Sequence, residues 1–454
     1  MENFLRNRMQ ALKPVRTSIE REDEKTIERE EEPLSPWSIA SHRSESGIYV
    51  MGILGFKNRI NPSCVKDNLM HDLMRNPRFC SLQVADDKDG KMKCVRTSVN
   101  VEDHVIVPEL NQDMESVCIV RVHHSLGDGF SLVSLLLSSA RKVSDPEATP
   151  SFPVKKKKEK YEEQNNLSYL RKFWLMFRFY WNSMVDVIML IATLLFFKDT
   201  KTPITNSMWG ESSSKRIVYK IVSLDDIKLV KTATNYTIND VMMAVLQASL
   251  SRYLNRLYGD NDRATEKENN LPKGLHVRAA VPVSFKMGIH ALPQTKHMVG
   301  NNVGIILFPF TIAIKDDPLD YLRTAKASMD RKKNSFEAIA SGTIIKLFTY
   351  FFGIKGASIY AQRIFSQTTI LVSNLPGPTQ ESSVYGHSIS FIAPTVYGLP
   401  NALTVNFQSY FNKMAIVLSV DENAIPNPHQ LCTDFEESLK LIKDAAMARA
   451  KMMT

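Results

Sequence analysis

The spacing of apolar residues predicts short strands and helices along most of the chain. Residues 47–56 and 117–122 are apolar runs rich in β-branched residues, which indicates buried strands. The second run is so apolar that it predicts a central strand. Residues 130–141 are Leu-rich and follow an Asp-Gly turn, so they predict a helix capped by Asp128.

Elements of both kinds continue through the rest of the chain without strict alternation. Helical spacing covers residues 61–74, 224–234, 239–257 and 428–447. Thr237 and Asn239 are the candidate caps of the third of these helices. Further strands are predicted at residues 78–84, 94–101, 216–222, 277–283, 303–308, 368–373, 403–408 and 414–420. This mixture predicts an α/β class (α+β mixed) arranged in two domains.

Composition divides the chain into four segments. Residues 1–32 are highly charged and poor in apolar residues, which predicts a disordered arm. Residues 33–145 and 213–454 are the two predicted domains. Residues 146–212 form the predicted crossover between them, with a lysine-rich loop at 155–160 that is followed by an apolar helix.

The apolar residues 173–197 leave three interpretations open. Arg178 and Asp186 interrupt the stretch, and residues 183–197 would reach only about 22 Å as a helix, against a hydrocarbon core of about 30 Å. The alternatives are an interfacial helix, a spanning helix and a buried helix. The interfacial helix is favoured because its basic neighbours suit anionic lipid.

Cysteine usage and net charge narrow the function classes. Five widely spread cysteines without metal-ligand spacing predict a reduced, cytosol-facing chain with no metal site. The net charge of +9 suits nucleic acid, an acidic membrane surface or a phosphorylated cosubstrate. No nucleic-acid-binding module accompanies the basic residues, so nucleic acid is the weakest of these partners.

Residues 123–129 (HHSLGDG) carry the candidate chemistry. A histidine at the end of a strand, beside a turn in which Gly127 and Gly129 permit positive φ, is placed to accept a hydroxyl proton near neutral pH. Successive side chains of a strand point to opposite faces, so the two histidines do not share a metal. A core histidine beside an ordinary turn is the alternative that spacing leaves open.

These seven residues resemble the active-site signature of the HHxxxDG coenzyme-A-dependent acyltransferases. The wider sequence resembles the plant wax ester synthase/diacylglycerol acyltransferase family. The similar blocks are PLSP at 33–36, NPRFC at 76–80, VEDHVIVP at 101–108, residues 198–256, GNN at 300–302, SNLPGP at 373–378, YGLPNALTVNFQSY at 397–410 and IPNPHQLC at 425–432. The resemblance therefore covers nearly the whole chain past residue 33.

The resemblance implies two chloramphenicol-acetyltransferase-like domains with an active-site channel between them. It implies acyl transfer from acyl-CoA, as a cosubstrate, to a fatty alcohol or diacylglycerol, with no cofactor and no metal. It also implies a membrane surface as partner. The expected location is the cytosolic face of the endoplasmic reticulum membrane, with the plasma membrane as a second location.

Roles for individual residues follow from the same resemblance. His124 corresponds to the general base, His123 to a supporting residue, Asp128 to a structural carboxylate and Gly129 to the motif turn. Three further residues match the family near the channel and are candidate substrate contacts: Asn239, Ser373 and Asn374. A helix cap and a rigid proline-containing loop are the alternative explanations for these three.

One segment departs from the family pattern. Only residues 109–116 separate the VEDHVIVP block from the following strand, where the family carries a helix and a Pro-Leu-Trp strand. This difference leaves open a catalytically weakened relative that binds acyl-CoA or lipid. A soluble acyltransferase of the same superfamily that acts on another alcohol is a separate alternative, and the breadth of the resemblance argues against it.

Overall fold

The computed structural model describes residues 34–41, 47–74, 77–85, 92–108, 116–153, 169–205, 214–259, 269–285 and 301–453. The predicted arm at residues 1–32 and the lysine-rich loop at 155–160 lie outside these residues. The described chain divides into two compact units. The smaller contains Asn58–Ser116, and the larger contains Ser35–Lys57 and the chain from Val117 onward.

Helices and strands alternate irregularly along the described chain. The helices are α1 (Pro36–Ala40), α2 (Pro62–Met74), α3 (Gly129–Ser139), α4 (Tyr169–Leu195), α5 (Leu224–Thr234), α6 (Ile238–Tyr258), α7 (Leu319–Lys333), α8 (Glu337–Gln367) and α9 (Pro428–Met453). The strands are β1 (Tyr49–Phe56), β2 (Ser81–Ala85), β3 (Met92–Arg96), β4 (Val117–His123), β5 (Ala140–Lys142), β6 (Lys215–Ser223), β7 (Val277–Ser284), β8 (Val303–Phe310), β9 (Ile370–Leu375), β10 (Ser382–Val384), β11 (His387–Tyr397), β12 (Leu403–Tyr410) and β13 (Lys413–Asp421). This mixed composition confirms the predicted α/β class.

The smaller unit is built around a hairpin. Strands β2 and β3 pair in antiparallel fashion, with Ser81 opposite Arg96. The amide of Thr97 extends the pairing by donating to the carbonyl of Cys80 at 2.8 Å. Helix α2 precedes the hairpin, and its Lys66 pairs with Glu102 beyond the hairpin.

The larger unit contains two sheets. The first has the order β4-β1-β11-β10-β5, and the second has the order β6-β13-β12-β9-β7-β8. Strand β9 runs parallel to both of its neighbours, β12 and β7. Because β10 and β11 join strands from the first 145 residues, residues far apart in the sequence build the first sheet together. The predicted domain division at residues 33–145 and 213–454 stays a prediction.

The second sheet carries the main hydrophobic core. Helices α5, α6, α7 and α9 supply buried side chains to one face of this sheet, among them Leu246 and Phe435. On the other face, Ala415 and Val417 of β13 pack against Phe391 and Ala393 of β11 in the first sheet. The second sheet therefore lies between a layer of helices and the first sheet.

Several predicted elements are confirmed, and three expectations are wrong. Helix α5 has the predicted bounds, and Thr237 rather than Asn239 caps α6, in a capping box with Asp240. Strand β4 lies at the edge of its sheet instead of in the centre. Its Val117 and Ile119 are 45% and 62% exposed, because within the described chain only β1 pairs with it. Helix α3 ends at Ser139, and the next three residues form the short strand β5.

Two helices of the described chain, α4 and α8, are long and apolar enough to cross a membrane by length and composition. The apolar stretch predicted at residues 173–197 forms most of α4. Helix α8 was not foreseen from the sequence.

A buried ion pair connects the ends of both long helices to the second sheet. Arg278 of β7 donates to the carboxylate of Asp199 at 2.6 Å, and both side chains are almost fully buried. Arg278 also donates to the hydroxyl of Thr193 in α4 and to the carbonyl of Gln367 at the end of α8. Asp199 in turn accepts the amide of Thr369, just before β9. This cluster therefore fixes four elements at one point.

Loss of one partner of this pair is expected to destabilise the fold strongly. Asp199→Ala leaves the Arg278 charge buried without its counter-ion, which costs about 3–5 kcal/mol of unfolding free energy. Urea denaturation of the detergent-solubilised protein measures this change. The matched control is Glu422→Ala, because Glu422 pairs with Arg216 at the exposed surface, where such pairs contribute about 0–1 kcal/mol. Equal losses in the two variants would contradict a special role for the buried pair.

Candidate active site

The HHSLGDG loop connects the end of β4 to the start of α3. His123 is the last residue of β4 and lies opposite Tyr49 of β1. The amide of His124 donates to the carbonyl of Ile48 at 2.8 Å, which continues the pairing one residue beyond the strand. The strand pairing therefore fixes the backbone on which both histidines stand.

The ring of His123 is held by its own loop. Its Nδ1 lies 2.7 Å from the hydroxyl of Ser125 and accepts the Ser125 amide at 3.3 Å. The ring of Tyr49 meets it edge to face, with 5.4 Å between centroids. An Nδ1 that accepts an N–H carries no proton, so the neutral imidazole has its proton on Nε2. These contacts suit the supporting role that the resemblance implies, and that role stays a prediction.

The backbone of His124 and Ser125 is held by two buried polar side chains. Asn301 donates from Nδ2 to the carbonyl of His124 at 2.7 Å and to the Ser38 hydroxyl at 2.9 Å. The hydroxyl of Ser38 donates in turn to the carbonyl of Ser125 at 2.9 Å. Both side chains are at least 95% buried. Because buried hydrogen bonds are costly to leave unmade, this network restrains the loop strongly.

The surroundings of His124 favour the neutral imidazole. Burial lowers the pKa of His124 because the charged imidazolium loses its hydration. Smaller opposing contributions come from the charge of Asp128 and from the side chain of Asn301. The net lowering of the pKa keeps the ring unprotonated near neutral pH, which is the state that a general base needs.

Asp128 fixes the start of α3. Its Oδ1 accepts the amide of Ser131 at 2.8 Å and the Ser131 hydroxyl at the same distance. The predicted cap is therefore confirmed. Its Oδ2 accepts the hydroxyl of Ser284, the last residue of β7, at 3.3 Å. Asp128 thus connects the loop to the second sheet as well as to its own helix.

Gly129 packs closely against the end of β9. Neither Gly127 nor Gly129 has a positive φ, so the turn does not use the left-handed conformation that both glycines permit. A Cβ at this position would lie 2.6 Å from Cδ1 of Leu375. Leu375 is the last residue of β9, so the missing side chain brings the start of α3 against the end of that strand.

The three weaker candidates lie around the same strand end. Asn374 donates from Nδ2 to Oδ1 of Asn239, at the start of α6. Ser373 stands opposite Asn406, whose amide donates to Thr395 of the first sheet. Successive side chains alternate along a strand, so Ser373 shares the face of Leu375, whereas Asn374 lies on the face covered by helices. Contact of these residues with a substrate stays a prediction.

Three residues of this site were not identified from the sequence as part of it. Ser38, Ser284 and Asn301 are distant from the loop in the sequence and reach it only through the fold. Asn301 belongs to the GNN block that resembles the family, and this resemblance was the one feature of the sequence that could have indicated a role for it in the site. The loop therefore joins four parts of the chain, namely α1, β7, the start of β8 and the end of β9.

Comparisons with known proteins bear on the chemistry of this loop. Residues 299–443 match the family model described as the WS/DGAT C-terminal domain. Wax ester synthase/diacylglycerol acyltransferase 5 of Arabidopsis thaliana is 40% identical, with 94% of this chain and 96% of the relative covered. The corresponding protein 11 of the same plant is 37% identical, with 94% and 98% covered.

The chain belongs to the wax ester synthase/diacylglycerol acyltransferase family. It is an acyltransferase. Among solved structures, a wax ester synthase/diacylglycerol acyltransferase from Marinobacter aquaeolei VT8 is similar over 91% of this chain and 100% of that chain, with a TM-score of 0.56 and 16% identity. The first condensation domain of the CDA synthetase is similar over 92% of this chain and 96% of that chain, with a TM-score of 0.53 and 10% identity. At these identities the structural matches support the fold alone.

The relatives are longer than this chain over the aligned region. The alignment with Arabidopsis protein 5 extends over 486 positions, which exceeds the 454 residues of this chain. The relative therefore carries residues for which this chain has no counterpart. Of the shortened segment at residues 109–116, only Ser116 lies within the described residues.

Substitutions at Asp128 are expected to separate its capping role from its charge. Asp128→Ala removes the acceptor for the Ser131 amide and is expected to cost about 1–2 kcal/mol of unfolding free energy. Asp128→Asn keeps an oxygen at that place and is expected to cost about 0.5 kcal/mol or less. Urea denaturation compares the unfolding free energies of the two variants. The control is Asp103→Ala, because Asp103 is an exposed residue of the smaller unit. Equal losses for Ala and Asn would show that the charge matters more than the cap.

Proposed function

We propose that the protein transfers a long-chain acyl group from acyl-CoA to a fatty alcohol, to diacylglycerol, or to both, with His124 as the general base. The products are wax esters and triacylglycerol. The observation that carries this proposal is the state of His124. It is a half-buried imidazole of lowered pKa, on a loop restrained by Asn301, Ser38 and Asp128, in a chain of this family.

The proposed reaction needs one base and no covalent enzyme intermediate. His124 accepts the hydroxyl proton as the alcohol oxygen attacks the thioester carbonyl. The tetrahedral intermediate then collapses, the carbon–sulfur bond breaks and the ester remains. The imidazolium returns its proton to the departing thiolate of coenzyme A, which restores the neutral base. Protons and bonds therefore balance without a cofactor or metal.

The other predicted residues have supporting roles in this proposal. His123 stabilises the loop through its contact with Ser125. Asp128 contacts β7, and Gly129 packs against the end of β9. Ser373 is the stronger candidate for a substrate contact, because it shares the strand face of Leu375, which meets the loop. Asn239 and Asn374 bind each other on the helix-covered face and are more remote candidates.

The partners in this proposal are acyl-CoA and a membrane surface. The net charge of +9 suits both the phosphates of coenzyme A and anionic lipid headgroups. Long-chain alcohols and diacylglycerol dissolve in the bilayer, so we place the enzyme at the cytosolic face of the endoplasmic reticulum membrane. The plasma membrane is the second location that we consider.

One observation favours the alternative of a weakened relative. Strand β4, which carries the catalytic loop, directly follows the shortened segment and has an edge with exposed apolar side chains. If the missing residues normally support this edge, acyl transfer is slower while the loop and its histidine stay in place. The activity measurement below decides between the two.

Replacement of His124 is expected to abolish most of the activity. His124→Ala should lower acyl transfer by about 10²–10⁴-fold, because general-base catalysis contributes a factor of this size. The assay uses membranes from a lipid-deficient yeast strain, labelled palmitoyl-CoA, and either hexadecanol or diacylglycerol as acceptor. His429→Ala is the control, because His429 is exposed near the start of α9. If folded wild-type protein gives no product with either acceptor, the weakened relative replaces the proposal.

The pH dependence of the reaction is expected to report the lowered pKa of His124. The base is active when neutral, so kcat/KM should fall as pH decreases through the His124 pKa. Because burial lowers that pKa, the midpoint of the acidic limb should lie below the usual 6.5. Initial rates between pH 4.5 and 8 on detergent-solubilised enzyme measure it. A midpoint above 6.5 would contradict the assignment of His124 as a desolvated base.

A further inference from the structure

Helix α8 is a hairpin of two helical arms. At Gly353 the backbone leaves the helical region, with φ 56° and ψ −141°. The hydroxyl of Tyr360 donates to the carbonyl of Ser341 at 3.0 Å, although the two residues are 19 positions apart. In a continuous helix that separation would be about 28 Å. The chain therefore reverses at Gly353, and residues 337–352 and 354–367 form the two arms.

The arms pack tightly against each other. A Cβ at Gly356 would lie 2.0 Å from the carbonyl oxygen of Phe348, so only glycine allows this approach. The rings of Phe348 and Tyr360 are 6.0 Å apart, and Tyr360 is fully buried. The hairpin is thus held by backbone contact and by an aromatic pair in which Tyr360 is buried.

The turn of this hairpin exposes three consecutive aromatic side chains. Tyr350, Phe351 and Phe352 are 82%, 69% and 63% exposed, and together they form what we call the aromatic tip. Lys346 and Lys355, also exposed, lie on either side of it. An exposed apolar patch rimmed by cations is unfavourable in water and matches an anionic lipid surface, where aromatic rings lie at headgroup level.

Helix α4 packs against the base of the hairpin. Its polar side chains are mainly buried and its apolar side chains are mainly exposed, which is the reverse of a helix in water. Its buried side chains are mainly polar: Asn182, Ser183, Asp186, Leu190 and Thr193. Most of its exposed large side chains are apolar, among them Phe173, Trp174, Trp181, Ile188 and Leu195, and its exposed charges are Arg171, Lys172 and Arg178 in the first half of the helix. An outward apolar face with an inward polar one is typical of a helix that faces lipid.

The hairpin is connected to the active-site loop through two adjacent residues. The ring of Trp37 lies 5.9 Å from that of Tyr360 and 6.0 Å from that of Phe365, both in the second arm. Its indole donates to the carbonyl of Val303 at 2.9 Å. The next residue, Ser38, holds the carbonyl of Ser125 in the loop. A short series of contacts therefore runs from the second arm of the hairpin to the loop.

The arms are too short to cross a bilayer. At about 1.5 Å per residue they reach roughly 24 Å and 21 Å, below the hydrocarbon thickness of about 30 Å. The base of the first arm is also occupied by the protein, since a Cβ at Gly304 would collide with the carbonyl of Ala338. Only the part near the turn is free to enter lipid.

We propose that the aromatic tip of the α8 hairpin inserts into one leaflet of an anionic bilayer and holds the catalytic loop at the surface that supplies the acceptor alcohol. The inference rests on the proposed function for the identity of that alcohol. Beyond the proposed function, it names the part of the protein that binds the membrane, limits its insertion to one leaflet and connects it to the loop that carries His124.

Vesicle flotation of the full-length protein tests the tip. Wild type is expected to float with vesicles of phosphatidylcholine containing 30 mol% phosphatidylserine, and less with phosphatidylcholine alone. The triple variant Tyr350→Ser, Phe351→Ser, Phe352→Ser is expected to reduce binding about tenfold or more, since apolar insertion supplies the affinity. The variant Lys346→Glu, Lys355→Glu should reduce binding mainly to the anionic vesicles. The matched control is Leu229→Ser with Leu441→Ser, exposed apolar residues of α5 and α9.

Two activity measurements separate this inference from the proposed function. With acceptor dispersed in detergent, the tip variant should retain wild-type rates, and with acceptor dissolved in vesicles its rate should fall in parallel with binding. His124→Ala should float normally and remain inactive in both. Equal flotation of the tip variant and wild type would overturn the inference. A second result would also overturn it: wild type that does not bind vesicles and elutes as a dimer in gel filtration, while the tip variant elutes as a monomer. In that case a second copy of the chain would cover the tip. Neither result would affect acyl transfer in detergent.

Discussion

The buried pair between Arg278 and Asp199 fixes the point on which both long apolar helices and the candidate active site depend. Arg278 stands near the start of β7, and its guanidinium also lies over the ring of Phe197 at 4.5 Å. At the other end of the same strand, Ser284 contacts Asp128 of the HHSLGDG loop. Six residues of strand span about 20 Å. One rigid strand therefore relates the ends of α4 and α8 to the position of the loop.

The residues of the HHSLGDG loop were easier to predict from the sequence than the residues that hold the loop in place. The motif at residues 123–129 is local, so its sequence indicates both histidines, the turn and the cap by Asp128. The contacts that restrain it are not local. Asn301 reaches Ser38 across 263 positions, and no periodicity or spacing in a single sequence indicates such a contact. The capping expectation for Asn239 failed for a local reason, because Thr237 with Asp240 makes the stronger reciprocal cap.

Burial was harder to predict than the position of the elements. Helix α5 has the predicted bounds because its apolar residues recur on one face of a helix in contact with a sheet. The apolar run of β4 indicated a central strand, yet composition does not reveal how many neighbours a strand has. Helix α8 lacks a strong apolar stripe, because each arm contacts the other arm on one side and the rest of the protein on another, and is exposed elsewhere. Its reversal depends on one glycine, and no pattern distinguishes Gly353 from the helical Gly342 and Gly356.

The inward charges of α4 bear on whether that helix can cross a membrane. Asp186 is fully buried and accepts from Arg331 at 2.6 Å and from Lys332 at 2.9 Å, both in α7. Lys332 also donates to Glu337, the first residue of the hairpin, whose pKa burial raises to about 7. Removal of one partner from such a buried cluster costs about 3–5 kcal/mol. A spanning α4 would have to leave α7 and carry Asp186 into hydrocarbon, so its 27-residue length is a poor guide to its placement. The charges hold α4 against the protein, so in the arrangement proposed above its apolar face would meet lipid from the side, at the surface that the hairpin would enter.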